Sequence, residues 1–264
     1  MAPRPAAEAQ RRWWGTDPRA WADLAEPHNE PLFEAVLDAA GVGPGSRVLD
    51  VGCGSGLALA LAARRGAVPA GADISPGLLG IARERLPDAD LRECDMEELP
   101  FGDAGFDAVL GINAFQFAGD ARRALREAAR VVRPGGCVVA SLFAAPERSQ
   151  GTVASRAMSQ LIPPKDAGEH APYALSAPGD LEAVLAQAGL RPADAGEVMC
   201  RWRYATMDDA VRGLLCSAGG AQARAAAGER AVRGVLERAL AQFQDPRTGA
   251  VSLDNTFRWV AACR

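Results

Sequence analysis

Asp50 is followed by glycines at 52, 54 and 56, and two further acids, Asp73 and Asp95, stand at the ends of the next two predicted strands. Glycines at alternate positions tolerate positive φ and let a ligand approach the main chain where a Cβ would block it. A carboxylate offers two acceptors side by side, which suits a vicinal diol. Asp73 lies 17 residues beyond Gly56, about where a second-strand acid grips the hydroxyls of a ribose. Asp95 is then placed to accept from an adenine amino group, with the Met96 backbone beside the ring. The chemistry in view is the binding of a nucleotide-like ligand at a glycine turn.

The elements that must position these residues follow from local pattern. The β-branched run at 47–51 predicts a strand, and the Leu/Ala run after Gly56 predicts a helix to about Arg65, stopped by Gly66. Strand, glycine turn and helix set backbone N–H groups and a helix N-terminus against a ligand. Further strands are expected at 68–72 (running into Asp73), 90–94, 106–112 and 137–143. Helices are expected at 31–40, 76–86 and 121–132. Ser75-Pro76 and Asp120 supply helix starts, and Arg123 and Glu127 are spaced as an i,i+4 pair. Strands alternating with helices argue for a parallel sheet covered on both faces, whose carboxyl ends share one ligand-binding edge.

The second half is less regular. Residues 144–176 are too long for a simple connection and read as a lid, with a helix at 152–161 and a polar loop through His170 and Tyr173. A helix at 180–187, strands at 198–204 and 255–262, and helices at 208–217 and 224–242 complete the pattern. Residues 1–12 read as disordered, and Trp13, Trp14 and Trp21 follow within nine residues. Glu97-Glu98 reads as a solvated surface pair and Cys53 as a small space-filler.

Composition narrows the class. The 264 residues are 48% hydrophobic and 23% charged, as in a globular α/β protein. A formal net charge of -4 gives no pull toward nucleic acid or an anionic membrane. The six cysteines are scattered, with no C-x-x-C pair and no neighbouring histidine, so no metal is expected and reduced thiols in a cytoplasmic protein are the simple reading. No run reaches the roughly 20 apolar residues of a membrane span.

The motifs resemble those of the class I S-adenosylmethionine-dependent methyltransferases. They are residues 48–56, Gly71-Ala72-Asp73-Ile74-Ser75, residues 95–101, Phe106-Asp107-Ala108-Val109 and residues 130–136. The likeness is nearest to the branch of ubiquinone, menaquinone and bacterial small-molecule methyltransferases, and it covers about residues 32–143. It implies a Rossmann-like, seven-stranded, mostly parallel sheet with helices on both faces, the segment 255–262 being its antiparallel strand. Residues 1–30 are then an N-terminal segment and partial lid. Residues 31–264 are the methyltransferase domain, with insertions 144–176 and 206–250 forming a substrate cap.

The resemblance also implies roles. Gly52, Gly54 and Gly56 admit the methionine part of S-adenosylmethionine, and Asp50 supports the turn. Asp73, with Ile74 beside it, holds the ribose, and Asp95 and Met96 the adenine. Asn113 lies near the cofactor amine and the reacting methyl, and Trp14 packs or lids the site. Phe115, Gln116 and Phe117, with Tyr173 from the lid, line the acceptor side. If the nucleophile must lose a proton, His170 or His28 is the base. The product is S-adenosylhomocysteine and the acceptor a small, apolar or aromatic metabolite.

Three rival readings carry their own signals. A nicotinamide-dependent oxidoreductase would also use Asp73, but the glycines follow G-x-G-x-G, and a single lysine leaves no Tyr-x-x-x-Lys pair. A nucleic-acid methyltransferase is opposed by the negative charge and by Asn113-Ala114-Phe115-Gln116, which lacks the proline pair of base-amino methylation. A silent partner that keeps the cofactor fold would bind S-adenosylmethionine without turnover.

Overall fold

The computed structural model describes residues 5–163, 173 and 175–264. Seven strands, β1 (Arg47–Val51), β2 (Val68–Asp73), β3 (Asp90–Glu93), β4 (Phe106–Ile112), β5 (Val132–Phe143), β6 (Arg191–Tyr204) and β7 (Val251–Cys263), form one sheet in the order β3-β2-β1-β4-β5-β7-β6. The pairings among β1 to β5 are parallel, and β7 runs antiparallel to both its neighbours. The fold is Rossmann-like, and strand order reverses between β1 and β4.

Helices α1 (Pro5–Trp13), α2 (Pro18–Ala20) and α3 (Glu30–Ala39) precede the sheet, with a π-helical turn, Trp21–Ala25, and a 3-10 turn, Glu26–Asn29, leading into α3. Then come α4 (Leu57–Arg64), α5 (Pro76–Arg85), α6 (Ala121–Val131), α7 (Thr152–Ser159), α8 (Asp180–Gln187), α9 (Met207–Leu215), α10 (Ala218–Ala227) and α11 (Glu229–Leu240). Leu125, Ala128 and Val131 of α6 and Leu181 and Leu185 of α8 share one core with Leu49, Val51, Val138 and Leu142 of the sheet. Leu32, Val36 and Leu37 of α3 and Leu61 of α4 share a second core with Val48, Leu110, Val139 and Phe257 on the opposite face. A third core joins Met158 of α7, Leu214 of α9 and Val232 and Leu236 of α11 to Tyr204, Val251 and Leu253. Those strand residues lie at the ends of β6 and β7 that share an edge with the carboxyl ends of β1 to β5, so the helices of 144–176 and 206–250 gather over that edge. Among the described residues no helix is long and apolar enough to cross a membrane.

Several expectations need correction. Residues 5–13 form a helix, not a disordered tail, because Ala, Glu, Gln and Arg are good helix formers. The helix expected at 224–242 is two: Gly228, at φ 80° and ψ 152°, ends α10 and starts α11. β6 and β7 are longer than read, because the two pair antiparallel over their whole length, from Arg191↔Cys263 to Tyr204↔Val251. Glu127 pairs directly with Arg130 and also feels the charge of Arg123, whose Nε donates to the Glu97 carbonyl (3.1 Å). Glu97 is only 4% exposed, and its Oε1 accepts from the Asp120 N–H (2.9 Å).

Candidate functional site

The glycine turn follows β1 at the point where strand order reverses, the edge on which open α/β sheets bind ligands. Gly52, Gly54 and Gly56 have φ of 79°, 55° and 82°, all in the left-handed region. A Cβ on Gly52 would stand 2.6 Å from the Ala114 Cβ, so this turn and the one after β4 fit only because a side chain is missing. Gly52 and Cys53 donate their N–H groups to the Ala72 carbonyl (2.7 and 3.1 Å), tying the turn to β2.

Asp73 completes that tie. Its Oδ2 accepts from the Gly54 N–H and its Oδ1 from the Ser75 N–H, both at 2.8 Å. Burial raises its pKa, against these hydrogen bonds. Each oxygen keeps a second lone pair, so the carboxylate can hold the turn and still accept from a diol. Asp50 is 2% exposed, and its Oδ1 has no hydrogen-bond partner among the described residues. Burial, then the charges of Asp73 and Glu26, push it up to about 8.

Glu26 is a residue that sequence reasoning missed. It is 3% exposed, its Oε1 accepts from the Leu57 N–H at the start of α4 (3.4 Å), and its carboxylate pairs with Arg85. Arg85 also donates to the Ser55 carbonyl (2.9 Å) and the Ala22 carbonyl (3.4 Å), so one guanidinium joins the N-terminal segment to the glycine turn. A Cβ built on Gly54 would lie 3.6 Å from Trp21 Nε1 and 3.8 Å from Glu26 Oε1. Trp14 packs edge-on against Trp21 (5.1 Å) and Phe117 (5.6 Å), and its Nε1 donates to Gln10 (3.0 Å). The segment before α3 therefore lies across the turn. The only local signal for this was the clustering of tryptophans.

The other residues that the sequence points to for a cofactor follow the same edge. Asp95 Oδ1 accepts from the Glu97 N–H (2.9 Å), which fixes the turn after β3, and half-buried Met96 packs on the α6-side core. The Ile74 carbonyl accepts from Arg11 Nη1 (3.4 Å). Asn113 holds a left-handed backbone at φ 53°, donates its N–H to the Ser141 carbonyl (2.9 Å) and leaves its own Oδ1 unpartnered among the described residues.

Further polar atoms in this region lack partners among the described residues: both amide atoms of Gln116, Ser141 Oγ and His28 Nδ1. Strand alternation puts Ser141 on the face of Val139, and Asp50 on the face of Val48, so both lie on the α3 side. Buried polar groups are normally satisfied, and orphaned ones mark places where a ligand or water belongs. Phe115 faces the other way, buried in the α6-side core, with its ring over Gly111. Phe117 instead meets Trp14.

An aromatic group closes the β5–β7–β6 end of the edge. Phe143 lies 4.5 Å from Phe257, 5.5 Å from Tyr173 and 6.2 Å from Trp202. The Tyr173 phenol is hydrogen-bonded to Ser155, and burial raises its pKa. His28 stacks on Trp202 (6.5 Å) and meets the edge of Tyr204 (4.6 Å), with Nε2 2.8 Å from the Arg203 carbonyl. A carbonyl only accepts, so Nε2 carries the proton. Burial lowers the pKa of His28, with the Arg203 and Ala25 carbonyls opposing, so the ring favours the neutral form. His170 lies outside the described residues. A separate open cleft of about 340 Å³, lined by Arg47, Val68, Asp90 and Phe106 among others, opens at the starts of the same strands, away from this site.

Comparison with known proteins agrees with this geometry. Residues 49–140 match the family described as methyltransferase domain. The demethylmenaquinone methyltransferase of Renibacterium salmoninarum is 39% identical over 111 residues, 42% of this chain and 47% of that protein. The malonyl-[acyl-carrier protein] O-methyltransferase of Serratia marcescens is 33% identical over 123 residues, 47% of this chain and 48% of that one. The chain thus spans about half the length of these curated relatives. Among solved structures, the geranyl diphosphate C-methyltransferase of Streptomyces coelicolor, in complex with S-adenosyl-L-homocysteine, shares the fold at a TM-score of 0.56 and 15% identity, covering 99% of this chain and 98% of its own.

Proposed function

We propose that this chain, which carries a class I S-adenosylmethionine-dependent methyltransferase domain, moves a methyl group from that cofactor to a small, apolar or aromatic acceptor in the cytoplasm. The observation that carries the reading is the buried, unpartnered Oδ1 of Asp50, with Asp73 and Glu26 close enough to raise its pKa. An acidic cluster around a glycine turn is costly unless a cation belongs there, and S-adenosylmethionine brings two, an ammonium and a sulfonium.

The residues present fit the group. Gly52, Gly54 and Gly56 would admit the methionine part, and Asp50 would accept from its ammonium. Asp73 would hold the ribose diol while keeping the Gly54 and Ser75 N–H groups, with Ile74 alongside. Asp95 and Met96 would border the adenine, and Asn113 Oδ1 would face the amine and the methyl-bearing sulfur. Trp14 and Trp21 would cover the turn and exclude water. When bound, the sulfonium supplies an already activated methyl, so what remains for the protein is to align a nucleophile about 3 Å from it.

Gln116 and Ser141 would orient the acceptor's polar end, with Phe117, Phe143 and Tyr173 against its apolar body and Phe115 backing the wall. If the nucleophile carries a proton, His28, whose pKa is lowered by burial and whose Nδ1 has no partner among the described residues, is one candidate base. His170 is the other candidate from the sequence. The test is calorimetric titration with S-adenosylmethionine, followed by turnover on a panel of phenolic, quinol and carboxylate acceptors. Absence of binding sinks the proposal, and binding with no turnover on any acceptor favours a silent cofactor-binding partner.

A further inference from the structure

Cys137 and Cys263 face each other across the antiparallel junction of β5 and β7. The register is unbroken from Cys137↔Cys263 to Phe143↔Phe257. The Arg264 N–H donates to the Gly136 carbonyl (3.2 Å) and the Ala144 N–H to the Thr256 carbonyl (3.0 Å). Both bonds belong to even-numbered residues of β5, so the odd-numbered pair Cys137↔Cys263 is a non-hydrogen-bonded one. In such pairs the Cα atoms stand about 4.5 Å apart and the side chains lie closer than in hydrogen-bonded pairs. That spacing is inside the range of about 4.4–6.8 Å that a disulfide spans. Both thiols are free and partly exposed, so a small oxidant can reach them, and no other two cysteines share a register position.

We propose that Cys137 and Cys263 are a reversible thiol-oxidation site, forming an intramolecular disulfide that staples β7 to β5 at the sheet edge opposite the glycine turn. The oxidant is a small disulfide. One protein thiolate attacks it and expels the first small thiol, leaving a mixed disulfide. The second protein thiol loses its proton, attacks the protein sulfur of that mixed disulfide and expels the second small thiol. Two protein thiols are oxidised, and one small disulfide is reduced to two thiols. Burial, then the neighbouring Cys263, push the Cys137 thiol up to about 11, so closure accelerates as pH rises toward that value.

The experiment incubates the reduced protein with glutathione disulfide, blocks remaining thiols and maps peptides without reductant. The expected result is an intact mass lower by two hydrogens, a linked peptide pair holding Cys137 and Cys263, and reversal by dithiothreitol. The oxidised protein should melt several degrees higher while binding S-adenosylmethionine as before. C137S and C263S should each stop at a glutathione adduct on the remaining cysteine. Recovery of the two residues as separate adducts or as blocked thiols in the wild-type protein, or a link between any other pair, overturns the proposal.

Discussion

Asp50 makes the free protein sensitive to pH. Its folded pKa is raised from the ordinary 3.8 to about 8, so the native state holds a proton that the unfolded chain releases. Stability from this group is therefore full below about pH 4, falls as pH climbs and levels off above about 8. D50N should lack that fall and, in thermal melts above pH 8, be the more stable protein by a few kcal/mol at most. A cationic ligand favours the carboxylate, so affinity for S-adenosylmethionine should rise between about pH 6 and about pH 8 in the wild type. D50N should lose at least tenfold in affinity together with that slope. Calorimetry at the two pH values checks both, and a flat wild-type profile would remove Asp50 from the cofactor site. Gly52 makes a sharper case. G52A forces a Cβ to 2.6 Å from Ala114 at φ 79°, so it should lose cofactor binding and about 1–3 kcal/mol of stability, read by denaturant titration.

At the scale of elements, the Glu26–Arg85 pair joins the turn before α3 to the end of α5 across the glycine turn. R85A leaves the Glu26 carboxylate buried and unpaired, a loss on the order of 3–5 kcal/mol. The double variant R85A/E26Q should recover part of it, because the orphaned charge is gone. Urea unfolding of R85A, E26Q and the double variant measures the coupling, and purely additive losses would show that the pair contributes nothing. The same scale shows what the sequence makes legible. β1, α4, α5 and β4 were readable to within a residue or so, because Gly56, Gly66, Ser75-Pro76 and the apolar run at 106–112 are strong local signals. β6 was read only at its carboxyl end, since the exposed Arg191, Asp194 and Glu197 look like loop until β7 is beside them. Gly228 was absorbed into a helix because a single glycine breaks a helix only when its φ demands it. In the site, Asp50, the three glycines, Asp73 and Asn113 share one edge and were visible as motifs. Glu26, Arg85, Ser141 and Trp202 were not, because their partners are remote in sequence and no local pattern reports them.

The whole molecule places a tryptophan-rich segment over the turn at one end of the edge and a helical cap with an aromatic cluster at the other. W14A removes the ring between Trp21 and Phe117 but leaves the sheet and its cores intact. It should raise the KM for S-adenosylmethionine severalfold with a small change in melting temperature. It should also reduce the shift in tryptophan emission on adding cofactor. An unchanged KM together with an unchanged emission response would make Trp14 a packing residue only.

The ties of the N-terminal segment to the late chain set an order on the ribosome. His28 meets the Arg203 carbonyl, Asn29 accepts from Trp202 Nε1, and Arg224 donates to Thr16, contacts that span 175, 173 and 208 residues. Part of this segment docks on α5 and Phe117, and the rest waits through most of translation for Trp202, Arg203 and Arg224. A chain stalled before residue 203 could hold this segment through Arg85 and Phe117 but would lack its ties to Trp202, Arg203 and Arg224. Cofactor retention should then be weaker in fragments that stop before residue 203 than in the 264-residue chain, because the segment over the turn is only partly anchored in them.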